Sequence, residues 1–277
     1  MIPDFAQSLR LDDPDRYLSV LYAPASTRGA LFALYAFNAE IGSIRDRVSA
    51  PLPGEMRLQW WRDVIEAGTV EAAGGHPTAT ALLATIAAHN LPKAAFANML
   101  DARVFDLYDD PMPSRTDLEG YCGETASALI QLTALVLDRE GAPRIASLAG
   151  HAGCAQAIAG LLRALPLHRA RGQCFIPADI LAAAGTTPAE FIAGENKPAA
   201  LRAVEATIAL GRDHWAAFAA EASKVAPLLR SAFLPVTPAP VYFNAVERLG
   251  EGALTRAADV AGWRKQWALF RATARGW

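Results

Sequence analysis

The sequence predicts an all-α protein, on three observations. Apolar residues recur at three- and four-residue spacing through most of the chain, as in helices with one buried stripe. No clear stretch alternates apolar and polar residues with period two, and only residues 174–176 are weakly extended. Gly, Pro and Asn cut the periodic stretches into ten or more segments of helical length. Of 277 residues, 52% are hydrophobic and 19% charged, and Ala is abundant, so the helices are expected to pack closely and bury most of their sides. No fixed-length repeat and no linker stands out, which makes residues 1–277 one domain.

Asp12, Asp13 and Pro14 open a short helix that runs to Tyr22. Asp accepts from unsatisfied N–H groups there, and Pro suits a first turn. Residues 23–25 break it, and Ser26 is read as the cap of a helix to about residue 48. Pro51, Pro53 and Gly54 read as a loop. Residues 55–66 are helical, with Leu58, Trp61 and Ile65 on one face, and Trp60 and Trp61 are read as core. After Gly74, Gly75 and Pro77 an Ala-rich helix covers 78–89, ended by Asn90, Leu91 and Pro92. A helix over 93–108 buries Phe96, Leu100, Val104 and Leu107, while Asp101, Asp106, Asp109 and Asp110 form a solvated face. Thr116 and Glu119 make a capping box that opens a helix to about residue 137. A turn at 141–143 leads to a long, nearly uncharged helix over 144–167 and a link over 169–177. Thr187 and Glu190, with Pro188 between them, form a second capping box. Helices over 198–220 and 223–233, a loop with Pro235, Pro238 and Pro240, and helices over 241–248 and 260–275 close the chain.

Composition excludes several function classes. Net charge is -2, so no global basic field exists to draw nucleic acid or an anionic membrane. Cys122, Cys154 and Cys174 are odd in number and widely spaced, which argues against a disulfide framework or thiolate metal site and for a reducing compartment. The acidic start lacks the apolar core of a secretory signal. The uncharged apolar-rich run over residues 125–137 falls short of the roughly 20 residues a bilayer span takes. A cytoplasmic protein, soluble or peripheral on the inner membrane, is expected. No pair among His76, His89, His151, His168 and His214 has the helical spacing of metal ligands, and no GxSxG, P-loop or Rossmann fingerprint occurs.

Residues 31–46 organise the chain. Phe32, Tyr35, Ala36, Ala39 and Gly42 make an apolar stripe, and Glu40, Arg45, Asp46 and Arg47 crowd its end. Two readings stand for that end: a solvated helix terminus, or a site.

Three segments, RYLSVLYAPASTRGALFALYAFNAEIGSIRD, GYCGETASALIQL and AQAIAGLLRALPLHRARGQCFIPADIL, together resemble the squalene/phytoene synthase family in order and spacing, over nearly the whole chain. The resemblance implies an isoprenoid (terpenoid) synthase-like helical bundle with a central cavity. Active members carry an Asp-rich DxxxD on each of two facing helices. Carboxylates four residues apart share a helix face and suit Mg²⁺, a hard cation that clamps a prenyl diphosphate and helps it depart. Both motifs depart from that pattern here. The first falls on Gly42 to Asp46, with only Asp46 acidic; Glu40 lies six residues away and off that face. The second falls on Ala164 and His168, and no Asp or Glu occurs from residue 141 through 178. RYLSVLYAP, FALYAFNAEI, MRLQWWRDV and the basic link before CFIPADI resemble, more closely, the branch of the mitochondrial respiratory complex I assembly factor, which has the fold without intact Asp-rich motifs.

That resemblance implies a catalytically degenerate protein with no cofactor, a prenyl diphosphate or lipid ligand, and a complex I subunit or assembly partner. Two alternatives remain open: an active prenyltransferase holding Mg²⁺ with Asp46, Glu40 and other acids, and a helical interaction module without ligand. Ser19, Tyr22, Arg28 and Gln156 match family positions near the ligand, with packing and capping as the competing reading. Arg163, Arg169 and Arg171, beside His168, suit an anionic head group or a solvated basic helix end, and Pro166 either splays them or ends the helix. At the C-terminus Trp263, Trp267, Phe270 and Trp277 fall near one stripe, with Arg264, Lys265, Arg271 and Arg275 around it; an interfacial helix on an anionic membrane and a helix docked on the core are both consistent.

Overall fold

The computed structural model describes residues 5–275, and among them all regular structure is helical. The helices are α1 (Phe5–Asp12), α2 (Pro14–Leu21), α3 (Arg28–Gly42), α4 (Pro51–Ala67), α5 (Pro77–His89), α6 (Lys93–Val104), α7 (Arg115–Cys122), α8 (Ala128–Leu137), α9 (Ala146–Arg163), α10 (Leu165–Ala170), α11 (Ala178–Ala184), α12 (Pro188–Ala193), α13 (Lys197–Ala222), α14 (Arg230–Phe233), α15 (Ala239–Leu249) and α16 (Gly262–Arg275). They gather into two compact units, each built from three chain segments. The first takes the chain up to Tyr108, then Ala128–Ala146 and Val225–Pro235; the second takes Asp109–Ser127, Ser147–Lys224 and the chain from Val236.

In the first unit α3 packs against α1, α2, α5 and α8. Leu31, Phe32, Leu34, Tyr35, Phe37 and Ile41 are buried along it. Each large apolar side chain so buried contributes about 1.5–3 kcal/mol before entropy is counted. Ala33 and Ala36, also buried, keep the backbone close to its neighbours. The Phe37 ring meets Trp61 edge-on at 5.0 Å and Phe96 at 5.6 Å. The Tyr35 hydroxyl accepts from Thr133 Oγ1 at 3.4 Å, and burial raises its pKa. In the second unit α13 packs against α11 and α15. A Cβ on Gly211 would lie 2.4 Å from the Phe243 ring, so only Gly permits that approach.

Several boundaries differ from the sequence reading, each for a physical reason. Residues 5–12 are helical, and Asp13 caps α2 by accepting from Arg16 N at 3.1 Å. Thr27, not Ser26, precedes α3, which ends at Gly42 and gives way to a 3₁₀ turn over Arg45–Arg47. Gly42 and the polar residues after it end the apolar stripe, so packing no longer supports a continuous helix. Pro51 and Pro53 stand inside the first turn of α4 rather than in a loop, because the first four N–H groups of a helix have no partner to lose. Ser114, not Thr116, caps α7 by accepting from Asp117 N at 3.2 Å. A π-helical turn over Gly123–Ser127 separates α7 from α8. The helix expected over 144–167 stops at Arg163, because Pro166 has no N–H to bond the preceding turn; α10 starts at Leu165 with Pro in its first turn. Residues 174–176 form no strand, although Cys174 O accepts from Met112 N at 2.9 Å. The second capping box forms, with Thr187 and Glu190 bonding each other's backbone N–H at 3.2 and 3.0 Å.

One stretch, Ala142–Arg163, has the length and hydropathy to cross a bilayer, but half of its apolar window is buried, as in a core helix. All three cysteines are buried and outside any disulfide, and burial raises the Cys174 thiol to about 11.

Within α9, a Cβ at Gly153 would lie 2.2–2.6 Å from the Oγ, N and Cα of Ser127, whereas one at Gly150 meets nothing within 4 Å. Gly153→Ala is expected to cost about 1–3 kcal/mol by overpacking. Gly150→Ala, a gain in helix propensity, is expected to be neutral or stabilising. Urea unfolding of both variants beside the parent chain measures the contrast.

Candidate functional site

The C-terminal end of α3 is the first candidate. At Gly42 a built Cβ would lie 3.6 Å from Arg103 Nη2, so a guanidinium from α6 stands beside the position that the family pattern assigns to a carboxylate. Arg103 Nη1 donates to Asp106 Oδ2 at 2.9 Å, and both side chains are largely buried. Asp106 thus leaves the solvated acidic face read for it, while Asp101 remains mostly exposed and pairs with Arg62. Asp46 lies exposed on the 3₁₀ turn. The Glu40 carboxylate is engaged elsewhere: it accepts from Thr78 Oγ1 and lies 3.4 Å from His76 Nε2. His76 in turn caps α5 through Ala79 N and lies against the Trp60 and Trp61 rings. Glu40 therefore joins α3 to the start of α5.

The other expected ligand residues of this unit also have structural partners. Ser19 is buried and donates to Arg16 O at 2.7 Å. Arg28 donates to Ala23 O at 2.9 Å and to Leu21 O at 2.8 Å, closing the turn after α2, where Tyr22 stays exposed.

In the second unit Ala164 is the joint between α9 and α10. His168 lies half-buried with its ring 4.6 Å from Phe175. Arg163 is exposed, donates to the Tyr242 hydroxyl at 3.2 Å and stacks over that ring. Arg169 donates to Phe191 O at 2.9 Å and to Leu254 O and covers the Phe191 ring; burial lowers its pKa. Arg163 and Arg169 thus reach different neighbours. Arg171 ends α10 half-buried, and Gln156 is half-buried on α9.

A further polar cluster escaped the sequence reading. His214 Nε2 lies 3.1 Å from Glu119 Oε1, and its Nδ1 lies 3.0 Å from His151 Nδ1. An ionised Glu119 accepts from Nε2 of His214, and a hydrogen bond between the two Nδ1 atoms needs one proton between them. Arg115 Nε donates to the same carboxylate at 2.9 Å. Burial pushes Glu119 up, but the bonds from Arg115 and His214 outweigh it and hold its pKa below the ordinary value. No local pattern announces a pair 63 residues apart.

The first unit also has an open cleft of about 750 Å³ at the C-terminal ends of α4 and α5, walled by Leu83, Ile86, Leu91 and Leu135. Lys93 and Arg139 line it, but both donate to helix-end carbonyls, of Glu66, and of His89 and Asn90. In the second unit a small apolar pocket of about 10 Å³ among Leu118, Ile158, Leu162 and Phe175 has room for a single water at most.

Among the described residues no group of three or more His, Cys, Asp or Glu side chains converges as a metal site. Magnesium prefers several clustered oxygen donors. Gly42 beside a guanidinium, with Glu40 turned to Thr78 and His76, does not fit a carboxylate-held magnesium cluster.

The sequence matches the squalene/phytoene synthase family over residues 9–271. It is 34% identical over 184 residues to human NADH dehydrogenase (ubiquinone) complex I, assembly factor 6, covering 66% of this chain and 55% of that protein. The chain therefore spans about half the length of that relative. It is 30% identical over 191 residues to presqualene diphosphate synthase of Sinorhizobium fredii, covering 66% of each. The structure resembles a ligand-bound dehydrosqualene synthase with TM-score 0.79 at 18% identity, covering 98% of this chain and 94% of that one. It resembles squalene synthase HpnC of Alicyclobacillus acidocaldarius with TM-score 0.72 at 21% identity, covering 90% and 97%. The all-helical synthase fold expected from the sequence is the fold observed.

The Glu119 network sets a pH dependence. A carboxyl with a depressed folded pKa adds stability above its unfolded value, near 4.3, and loses it as pH falls through the folded value. Glu119→Gln is expected to cost about 1 kcal/mol at neutral pH. The difference from the parent should close as pH falls below about 4, as thermal melts across pH would record.

Proposed function

Since the chain belongs to the squalene/phytoene synthase family, we propose that it is a member without prenyl-transfer activity, serving as an isoprenoid- or lipid-binding factor in respiratory complex I biogenesis. The observation that carries this reading is the Arg103 guanidinium beside Gly42, where an active member needs a carboxylate for magnesium. The guanidinium there, paired with Asp106, offers no lone pair to Mg²⁺. Ala164 and His168 stand at the matching positions of the second motif, and neither offers a carboxylate. The likeness to human complex I assembly factor 6 supports the assembly role.

In this reading no metal takes part. An apolar chain packs against the helices, and Arg163 and Arg171 meet an anionic head group, since a guanidinium binds phosphate oxygens as a fork without a bridging cation. Arg169 stays with Phe191 and Leu254 as a tether. The protein acts in the cytoplasm beside the inner membrane, where a complex I subunit or assembly partner is available.

The likeness to presqualene diphosphate synthase supports a second reading, an active transferase that gathers Asp46 and Glu40 around magnesium in a rearranged site. One assay separates the two. Purified protein is incubated with farnesyl or geranylgeranyl diphosphate and Mg²⁺, and diphosphate release and coupled prenyl products are followed. Our reading expects neither above the no-enzyme rate. Robust release that Asp46→Ala and Glu40→Ala abolish would establish the second reading instead. A deletion strain tests the assembly role: assembled complex I and its NADH oxidation are expected to fall, and unchanged levels would contradict that role.

A further inference from the structure

α16 has two apolar faces where one suffices to dock it. Leu269 and Ala272 are buried, which fixes the helix on the protein. Trp263, Trp267 and Phe270 are 65%, 57% and 51% exposed. At 3.6 residues per turn these three fall within about 60° of one another, on the side roughly opposite Leu269 and Ala272. The two readings of the C-terminal sequence are therefore compatible: the helix docks by one face and presents its aromatic stripe by the other. Trp277 lies outside the described residues.

Charge distinguishes what this stripe fits. Arg264 and Arg271 lie exposed along one flank of it, and Arg264 covers the Trp263 ring at 5.4 Å. The helix contains no Asp or Glu, although the chain as a whole carries net charge -2. A protein-binding stripe needs no such uniform sign. Aromatic side chains flanked by cations match the boundary of a bilayer, where indole rings settle among head groups and cations meet anionic phosphates.

We propose that the exposed face of α16, formed by Trp263, Trp267 and Phe270 with Arg264 and Arg271, is a docking surface for an anionic lipid bilayer. The aromatic rings enter the head-group region, the two arginines meet lipid phosphates, and the buried face keeps the helix attached to its unit. This assignment stands on α16 alone and is independent of whether the protein turns over substrate.

The test is flotation of the full chain with phosphatidylcholine vesicles, with and without phosphatidylglycerol. Binding is expected only with the anionic lipid, and it should weaken as salt is raised. Arg264→Glu and Arg271→Glu should each weaken it by about fivefold or more. The combined change Trp263→Ala, Trp267→Ala and Phe270→Ala should remove it while leaving the circular dichroism spectrum and melting temperature unchanged, because those side chains are exposed. Absence of binding by the parent chain, or equal binding by the triple variant, would overturn the proposal. So would a vesicle-indifferent dimer in sedimentation velocity that the triple variant dissociates, since the stripe would then belong to a second copy of the chain.

Discussion

The burial of α3 constrains the chemistry at its end. Leu31, Phe32, Leu34, Tyr35, Phe37 and Ile41 fit between α1, α2, α5 and α8, and a helix held by so many side chains cannot rotate to offer another face. Whatever stands at Gly42 therefore stands where the frame places it. Arg103, held by Asp106, fills the neighbouring space. Glu40, two residues earlier, points to a different neighbourhood and is engaged by Thr78 and His76. The family's helical frame is retained, and at this end of it a guanidinium stands beside Gly42 while the Glu40 carboxylate is engaged by Thr78 and His76.

Cations follow the same logic. Arg28, Lys93, Arg139 and Arg169 all donate to backbone carbonyls at helix ends or turns. Helix C-termini leave carbonyls unsatisfied and carry partial negative charge, so a guanidinium or ammonium there answers a structural need. Basic composition near a motif is therefore a poor guide to ligand contacts. Arg169 is the clearest instance: its guanidinium joins α10 to the end of α12 and to Leu254.

The helical class, the apolar frame of α3 and the Thr187–Glu190 cap were legible because each depends on residues near one another in sequence. Pro166 announced a break, yet its outcome, a fresh helix rather than a splayed tail, was decided by the backbone around Ala164. Pro51 and Pro53 misled because the same residues suit a loop and a first helical turn. Arg103 beside Gly42 and His151 beside His214 were not legible at all. Those meetings are products of packing between distant helices, and no spacing rule reports them.

The proposed function requires that the end of α3 no longer supports a magnesium-held diphosphate. Calorimetric titration of the intact protein with a non-hydrolysable prenyl thiodiphosphate, in magnesium and then in EDTA, tests it most directly. The account predicts the same affinity in both buffers, whatever that affinity is. Binding tightened by about tenfold or more with magnesium would contradict it.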